Sequence, residues 1–403
     1  MERPVSKGGE RLSIDIAYLG EQLRALLAIP SPTGYTDTAV RHLSGELEKL
    51  GIVFDLTRRG AIRARLPGDT SAGSRAVVAH IDTLGAQVKA LKENGRLELV
   101  PIGTWSARFA EGARTTIFSG KGAYRGTILP LKASGHTFAD EVDSQPVGWS
   151  HVELRVDAPA TSCRDLDKLG IEVGDIVAID PQPEFLENGF IISRHLDNKA
   201  GCAVLMAALK ALLAGPVPPV DVFWLFTIAE EVGHGAASIL VPDIASMLAV
   251  DNGTAAPGQY SSEFGVTIAM ADMTGPFDFH LTRKLVELCL ANDIRYSKDV
   301  FRHYRSDSAS AIEAGADVRT ALVTFGVDAS HGYERIHMHA LRSVAELVTA
   351  YALSDVEIAR DQEAIGGLSG FTRQPSAPAE QALRLDGEPP PHPEGGPRRQ
   401  PRG

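Results

Sequence analysis

Segments typical of buried strands alternate with segments typical of helices along most of this chain of 403 residues. Apolar or β-prone runs predict strands at residues 61–66, 76–79, 220–227, 246–250 and 318–324. Apolar residues at helical spacing predict helices at residues 16–26, 40–50, 200–213, 281–291 and 341–353. This alternation predicts an α/β fold, in which helices flank an open and mostly parallel sheet.

The alternation stops between residues 85 and 192. This stretch has no long amphipathic pattern, and its short β-prone pieces are separated by Gly, Pro and Asp turns. We therefore predict an inserted small β-barrel domain at 85–192, and an α/β domain formed by 1–84 and 193–356. Residues 357–403 are predicted to be a disordered Pro/Gly/Arg-rich tail, since eight of the 24 prolines follow Gln374.

Composition argues against several classes of partner. The chain has 40 basic and 51 acidic side chains, a net charge of −11, which disfavours nucleic acid and anionic membranes. Its 3 cysteines cannot pair completely, so a disulfide scaffold is excluded and a reducing compartment is expected. No signal peptide is predicted at the amino terminus, and no apolar run is long enough to cross a bilayer. We expect a cytoplasmic protein.

Acidic residues and histidines follow several of the predicted buried segments. They are His80 and Asp82, Asp197, Glu230 and Glu231, Asp251, and His331. In an open α/β sheet, ligands bind outside the carboxyl ends of the strands, so we expect these side chains to converge.

Converging carboxylates repel one another unless cations lie between them. Each segment alone has an ordinary structural interpretation: Asp197 could simply cap a helix, and the Glu230–Glu231 pair could lie in a solvated turn. Together they favour a site for two divalent metal ions. Imidazole and carboxylate ligands without thiolate suit zinc first, with cobalt or manganese also possible.

The same motifs resemble a known family. With Ile29-Pro-Ser-Pro-Thr-Gly34, Gly103-Thr-Trp105 and Gly170-Ile-Glu-Val-Gly174, the chain is similar to the co-catalytic metallo-aminopeptidases. That family includes tetrahedral and glutamyl aminopeptidases, and some members are called endoglucanase-like. The resemblance covers about residues 12–356. It implies two metals per subunit and a homo-oligomer, often a dodecamer that is assembled from dimers through the inserted domain.

Matching positions imply a role for each candidate ligand. His80 and Asp251 would bind one metal, Glu231 and His331 would bind the other, and Asp197 would bridge both. His337 remains an alternative to His331, because several histidines follow the last predicted strand.

The resemblance also implies catalytic roles for two further carboxylates. Glu230 would be the general base, and Asp82 would orient His80. A carboxylate that binds no metal is free to take a proton from a metal-bridging water, which two cations make acidic near neutral pH.

Departures from the family pattern give two candidate substrate contacts. His195 replaces the usual alanine two residues before the bridging aspartate, and it could contact substrate or only support its neighbours. Asp307 could bind a substrate amine or could cap a helix.

The predicted reaction is removal of the N-terminal amino acid from short peptides or dipeptide derivatives. Segments 272–278, 305–308 and 328–335 resemble a bacterial subgroup associated with the osmoprotectant N-acetylglutaminylglutamine amide. A di-metal deacylase acting on an N-blocked dipeptide or an acyl-amino acid is therefore one alternative. The other is a non-catalytic binding protein on the same fold, against which the intact Glu230–Glu231 pair argues.

Overall fold

The computed structural model describes residues 11–241, 243–356, 358–363 and 365–375. Its helices are α1 (Ile16–Leu27), α2 (Asp37–Lys49), α3 (Ala107–Ala110), α4 (Gly135–Phe138), α5 (Glu141–Ser144), α6 (Cys163–Leu169), α7 (Leu196–Ala214), α8 (Phe279–Ala291), α9 (Asp307–Glu313) and α10 (Met338–Leu353). Its strands are β1 (Phe54–Leu56), β2 (Ile62–Leu66), β3 (Thr70–His80), β4 (Gly85–Leu91), β5 (Arg96–Ile102), β6 (Arg114–Ser119), β7 (Gly122–Pro130), β8 (Val152–Val156), β9 (Ile176–Ile179), β10 (Glu184–Phe185), β11 (Phe190–Ser193), β12 (Val220–Thr227), β13 (Ile244–Thr254), β14 (Val266–Asp272), β15 (Gly275–Pro276), β16 (Tyr296–Val300), β17 (Arg319–Val327) and β18 (Glu334–His337).

A nine-stranded mixed sheet forms the centre of the molecule. Its strand order is β1-β2-β12-β3-β13-β17-β14-β15, and β16 pairs with β14. The middle strands β12, β3, β13 and β17 are parallel neighbours, and their apolar side chains are almost completely buried. This arrangement of a mostly parallel sheet with flanking helices confirms the predicted fold class.

Helix α7 packs against β3 and β13 and is itself covered by α1 and α10. Its residues are apolar on all sides and nearly all buried, which is typical of a helix inside a large core. The helix begins at Leu196 rather than at residue 200. Asp197 and Asn198 lie in its first turn with non-helical dihedral angles and are joined by a cis peptide bond. The start of this buried helix thus carries a predicted metal ligand.

A second, separate core lies inside a closed antiparallel barrel. Its strand order is β4-β5-β8-β7-β6-β9, and β9 pairs back onto β4. Buried side chains such as Val88, Leu97 and Ile128 fill the interior. Closure leaves no free strand edges, which suits a run of short strands separated by turns. The barrel strands lie between Gly85 and Ile179, inside the stretch predicted to be an insertion.

A small sheet that the sequence did not predict links distant parts of the chain. Its order is β10-β11-β18, and Ser193 on β11 lies opposite Glu334 on β18. The pairing brings the segment after β17 against the segment that leads into α7.

The beginning of the predicted tail is ordered. Residues Ala359–Gln362 form a 3-10 helix, and Arg319 holds Asp361 by two hydrogen bonds of 2.6 and 3.1 Å. The rest of the predicted tail, from residue 376, lies outside the described residues, as do residues 1–10, on which the signal-peptide prediction rests. Within the described ranges no helix combines the length and apolar character needed to span a membrane.

Candidate metal centre

The four parallel central strands bring the predicted site residues to one edge of the sheet. His80 is the last residue of β3, Asp251 lies near the end of β13, and Glu230 and Glu231 follow β12 closely. His331 lies in the loop after β17. Because all four strands run in the same direction, their carboxyl ends meet at the same edge, as ligand sites in open α/β sheets do.

Asp197 lies between two histidines. Its Oδ1 is 3.1 Å from Nε2 of His80, and its Oδ2 is 3.3 Å from Nε2 of His331. Each carboxylate oxygen therefore faces a different imidazole. A carboxylate placed in this way can bind two cations at once.

The remaining carboxylates complete two overlapping groups. Potential ligand atoms of His80, Asp197 and Glu231 lie within 4.8 Å of one another, and so do those of His80, Glu230 and Asp251. His331 Nε2 is 3.9 Å from Oε2 of Glu231. The Oε1 of Glu231 is buried without a hydrogen-bond partner among the described residues. Oxygen and imidazole donors at these distances fit zinc, cobalt or manganese.

Burial makes this cluster electrostatically unfavourable when it holds no cations. Burial, reinforced by neighbouring charges, raises the pKa values of Glu230, Glu231 and Asp251. Burial alone would lower the pKa of His331, but its hydrogen bond with Asp197 and the nearby Glu231 raise that pKa to about 10. The cluster thus retains protons where divalent cations would neutralise it.

Asp82 makes contacts beyond the predicted one with His80. The Nδ1 of His80 is hydrogen-bonded to the backbone carbonyl of Asp82 at 3.0 Å, whereas the Asp82 carboxylate is 3.5 Å away. That carboxylate accepts the backbone N–H groups of Glu230 and Glu231 at 3.1 and 3.3 Å. Asp82 therefore fixes the loop that carries both glutamates, and its backbone carbonyl and its carboxylate both lie beside Nδ1 of His80.

Sequence reasoning missed two residues that hold Asp197 in place. Glu334 is buried and accepts the backbone N–H of Asp197 at 3.2 Å and that of His331 at 2.9 Å. Burial and the neighbouring Asp197 raise the pKa of Glu334 to about 8. The side-chain amide of Asn252 donates to Oδ2 of Asp197 at 2.5 Å. Asn252 directly follows Asp251 in the sequence, and this adjacency was the signal that could have identified it as a site residue.

Comparison with known proteins identifies the family. A sequence profile of the M42 glutamyl aminopeptidases matches residues 60–347. The chain belongs to this family. YhfE of Bacillus subtilis (strain 168), provisionally named an aminopeptidase, is 36% identical over 336 residues, which cover 83% of this chain and 97% of YhfE. The resemblance read from the motifs is thereby confirmed.

Solved structures support the M42 fold. An aminopeptidase from the archaeon Desulfurococcus kamchatkensis superposes with a TM-score of 0.76 at 23% identity, covering 87% of this chain and 98% of that one. The TET1 peptidase of Pyrococcus horikoshii, which can assemble into a tetrahedron or a large octahedral shell, gives 0.72 at 21% identity over 83% and 99%. As an M42 member, the protein is a metallopeptidase with aminopeptidase function, a hydrolase acting on peptide bonds.

A narrow cleft adjoins the His331 side of this M42 centre. It is lined by Leu84, Trp105, Ile179, Arg194, His195, Asp197, His331, Gly332 and Glu334. Nε2 of His195 is hydrogen-bonded to the backbone carbonyl of Ile179 at 3.0 Å. Burial, with the nearby Lys199, lowers the pKa of His195 to about 3, so the ring is neutral. His195 thus lines this cleft, and its contact with substrate stays a prediction.

Two other candidates lie away from the cleft. Asp307 is 2% exposed and accepts the hydroxyl of Thr227 at 2.8 Å, beneath Gly235. A Cβ at Gly235 would be 1.7 Å from Oδ1 of Asp307, so this carboxyl is enclosed, and its contact with a substrate amine stays a prediction. The cap of α9 is Ser306. His337, the alternative to His331 as the last ligand, is instead hydrogen-bonded through Nε2 to the backbone carbonyl of Asn188.

Proposed function

We propose that this M42 aminopeptidase removes the N-terminal residue of short peptides with two divalent ions and a glutamate base. His80 and Asp251 would hold one ion, Glu231 and His331 the other, and Asp197 both. The observation that carries this proposal is the position of Asp197, whose two oxygens face His80 and His331 separately. When bound, the cations would acidify a water and polarise the scissile carbonyl.

The two adjacent glutamates would have different functions. Glu231 points toward Asp197 and His331, where a cation would fix its charge. Glu230 lies beside His80 instead, and its Oε2 is 3.7 Å from Nε2 of His80. Burial raises the pKa of Glu230. Burial raises the pKa of Glu231 as well, so the position of Glu230, and not its pKa, is what supports it as the general base. Glu230 is also close enough to His80 and Asp251 to contact a cation that these two residues would hold.

Asp82 would hold the two glutamates in these separate positions. Its carboxylate accepts both glutamate N–H groups, so the two side chains leave a fixed backbone in their separate directions. Glu334 has the same function for Asp197 and His331. The reacting groups are therefore placed before substrate arrives, which reduces the cost of ordering them during the reaction.

The proposal extends to metal, assembly and domains. We propose zinc as the metal, with cobalt or manganese as substitutes, because all ligands are imidazole or carboxylate. We also propose a cytoplasmic homo-oligomer, a dodecamer built from dimers, in line with the TET1 peptidase assemblies. Residues 85–192 would serve as the assembly domain, and residues 1–84 and 193–356 as the catalytic domain.

Activity on matched substrates separates this proposal from the deacylase alternative. We expect hydrolysis of aminoacyl anilides that carry a free α-amine, and a loss on the order of 100-fold or more when the same anilides are N-acetylated, because a group that the site binds is blocked. Initial rates on a panel with both forms of each residue provide the measurement. Faster cleavage of the acetylated forms would contradict the aminopeptidase proposal and favour the deacylase.

A further inference from the structure

The loop after α1 is tied to the segment that follows β3. The N–H of Thr83 donates to the carbonyl of Ser31 at 2.9 Å, and the N–H of Thr33 donates to the carbonyl of Thr83 at 3.2 Å. The hydroxyl of Ser31 donates to the carbonyl of Ile81 at 2.7 Å. Backbone and side-chain hydrogen bonds therefore hold residues 31–33 against residues 81–83.

Close packing at Pro32 restricts this loop further. Pro32 is buried, and a Cβ at Gly85 would be 2.6 Å from Cβ of Pro32. The carbonyl of Pro32 accepts the N–H of Tyr35 at 2.8 Å, which closes a turn around Thr33. The side chain of Thr33 thus leaves a backbone that is fixed before and after it.

The hydroxyl of Thr33 binds the carboxylate that supports both adjacent glutamates. Its Oγ1 donates to Oδ2 of Asp82 at 2.6 Å. This distance is shorter than the 3.1 and 3.3 Å at which the same carboxylate accepts the N–H groups of Glu230 and Glu231. Asp82 is completely buried. Thr33 therefore supplies the shortest of these three hydrogen bonds to an enclosed carboxylate.

The position of this hydrogen bond gives it influence over both oxygens of Asp82. The carboxylate turns as a unit about its last side-chain bond, and that torsion has only a weak preference of its own. Oδ1 accepts the N–H of Glu230, and Oδ2 accepts both the N–H of Glu231 and the hydroxyl of Thr33. A donor fixed at Oδ2 therefore also determines where Oδ1 points.

We propose that Thr33 is a positioning residue for the general base. Its hydroxyl fixes the Asp82 carboxylate, which in turn fixes the backbone from which the Glu230 side chain leaves. This inference rests on the proposed function, which assigns Glu230 as the base. It gives the Ile29–Gly34 motif a function that the metal ligands alone do not explain.

Kinetics at saturating zinc test this inference. Thr33→Val removes the hydroxyl and keeps the branched shape, whereas Thr33→Ser keeps the hydroxyl. We expect Thr33→Val to lower kcat by about 10-fold with KM unchanged, the lower end of the effect of losing such a supporting partner. We expect Thr33→Ser to restore kcat.

The same substitution elsewhere provides the matched control. Thr282 on α8 is 1% exposed, and its hydroxyl donates to the backbone carbonyl of Asp278 at 2.9 Å. We expect Thr282→Val to leave kcat unchanged.

A double variant shows whether the hydroxyl acts through Glu230. Combined with Glu230→Gln, Thr33→Val is expected to cause no further loss, because the base that it positions is already absent. An unchanged kcat in Thr33→Val, an equal loss in Thr33→Ser, or an additive loss in the double variant would overturn the inference. If Glu230→Gln alone keeps its activity, the proposed function fails, and that result does not depend on any Thr33 variant.

Discussion

Glu230→Gln is expected to lower kcat by about 10³-fold, within the range of about 10²–10⁴ for loss of a general base. Glutamine keeps the shape of the side chain but cannot accept a proton. The backbone N–H of residue 230 still binds Asp82, so the loop is expected to keep its conformation. Steady-state kinetics on a free-amine anilide, combined with elemental analysis, measure the effect. We expect two bound metal ions and a nearly unchanged KM.

Glu172→Gln is the control for this substitution. Glu172 is an exposed glutamate in the loop between α6 and β9, and its replacement is expected to leave kcat unchanged. If Glu230→Gln retains more than about a tenth of the activity, Glu230 is not the base. If the variant loses a metal ion, Glu230 is a ligand, and the functions assigned to the two glutamates must be revised.

Asp197→Asn is expected to remove at least one metal ion and to lower kcat/KM by about 10³-fold or more, because both ions share this carboxylate. An amide nitrogen does not bind a cation, so one of the two oxygens now facing His80 and His331 is lost. Elemental analysis after dialysis gives the stoichiometry, and anilide hydrolysis gives the rate.

A buried aspartate outside the centre provides the matched control. Asp299 is 5% exposed and accepts the backbone N–H groups of Tyr260 and Ser261. We expect Asp299→Asn to lower the melting temperature but to keep two metal ions. Retention of two tightly bound ions by Asp197→Asn, at a wild-type rate, would rule out a bridging function for Asp197.

The residues at the strand ends could be predicted from the sequence, because where a strand ends and which residues follow it are local properties of the chain. His80 and Asp251 end continuous apolar runs, so each had to lie at the carboxyl edge of a buried parallel strand. The inserted barrel could be predicted for a similar reason, since short β-prone pieces and turns leave few alternatives. Its closure, in which β9 pairs with β4, depends on contacts far apart in the chain.

The supporting residues were harder to find because long-range pairing places them. Glu334 reaches Asp197 only because β18 pairs with β11, and neither short strand had a clear pattern. Asp307 is enclosed beneath Gly235, which could not be foreseen because the sequence shows that a residue is near a site but not on which side. The two-residue spacing predicted that Asp82 lies near His80. The direction of the Asp82 carboxylate depends on the loop that carries Glu230, which the spacing does not show.

Anomalous diffraction at the zinc absorption edge, from crystals of the zinc-loaded protein, tests the central claim most directly. Two peaks are expected, one in contact with His80 and Asp251 and the other with Glu231 and His331, and the Asp197 carboxylate between them. A single peak, or peaks bound by other side chains, would contradict the di-metal account.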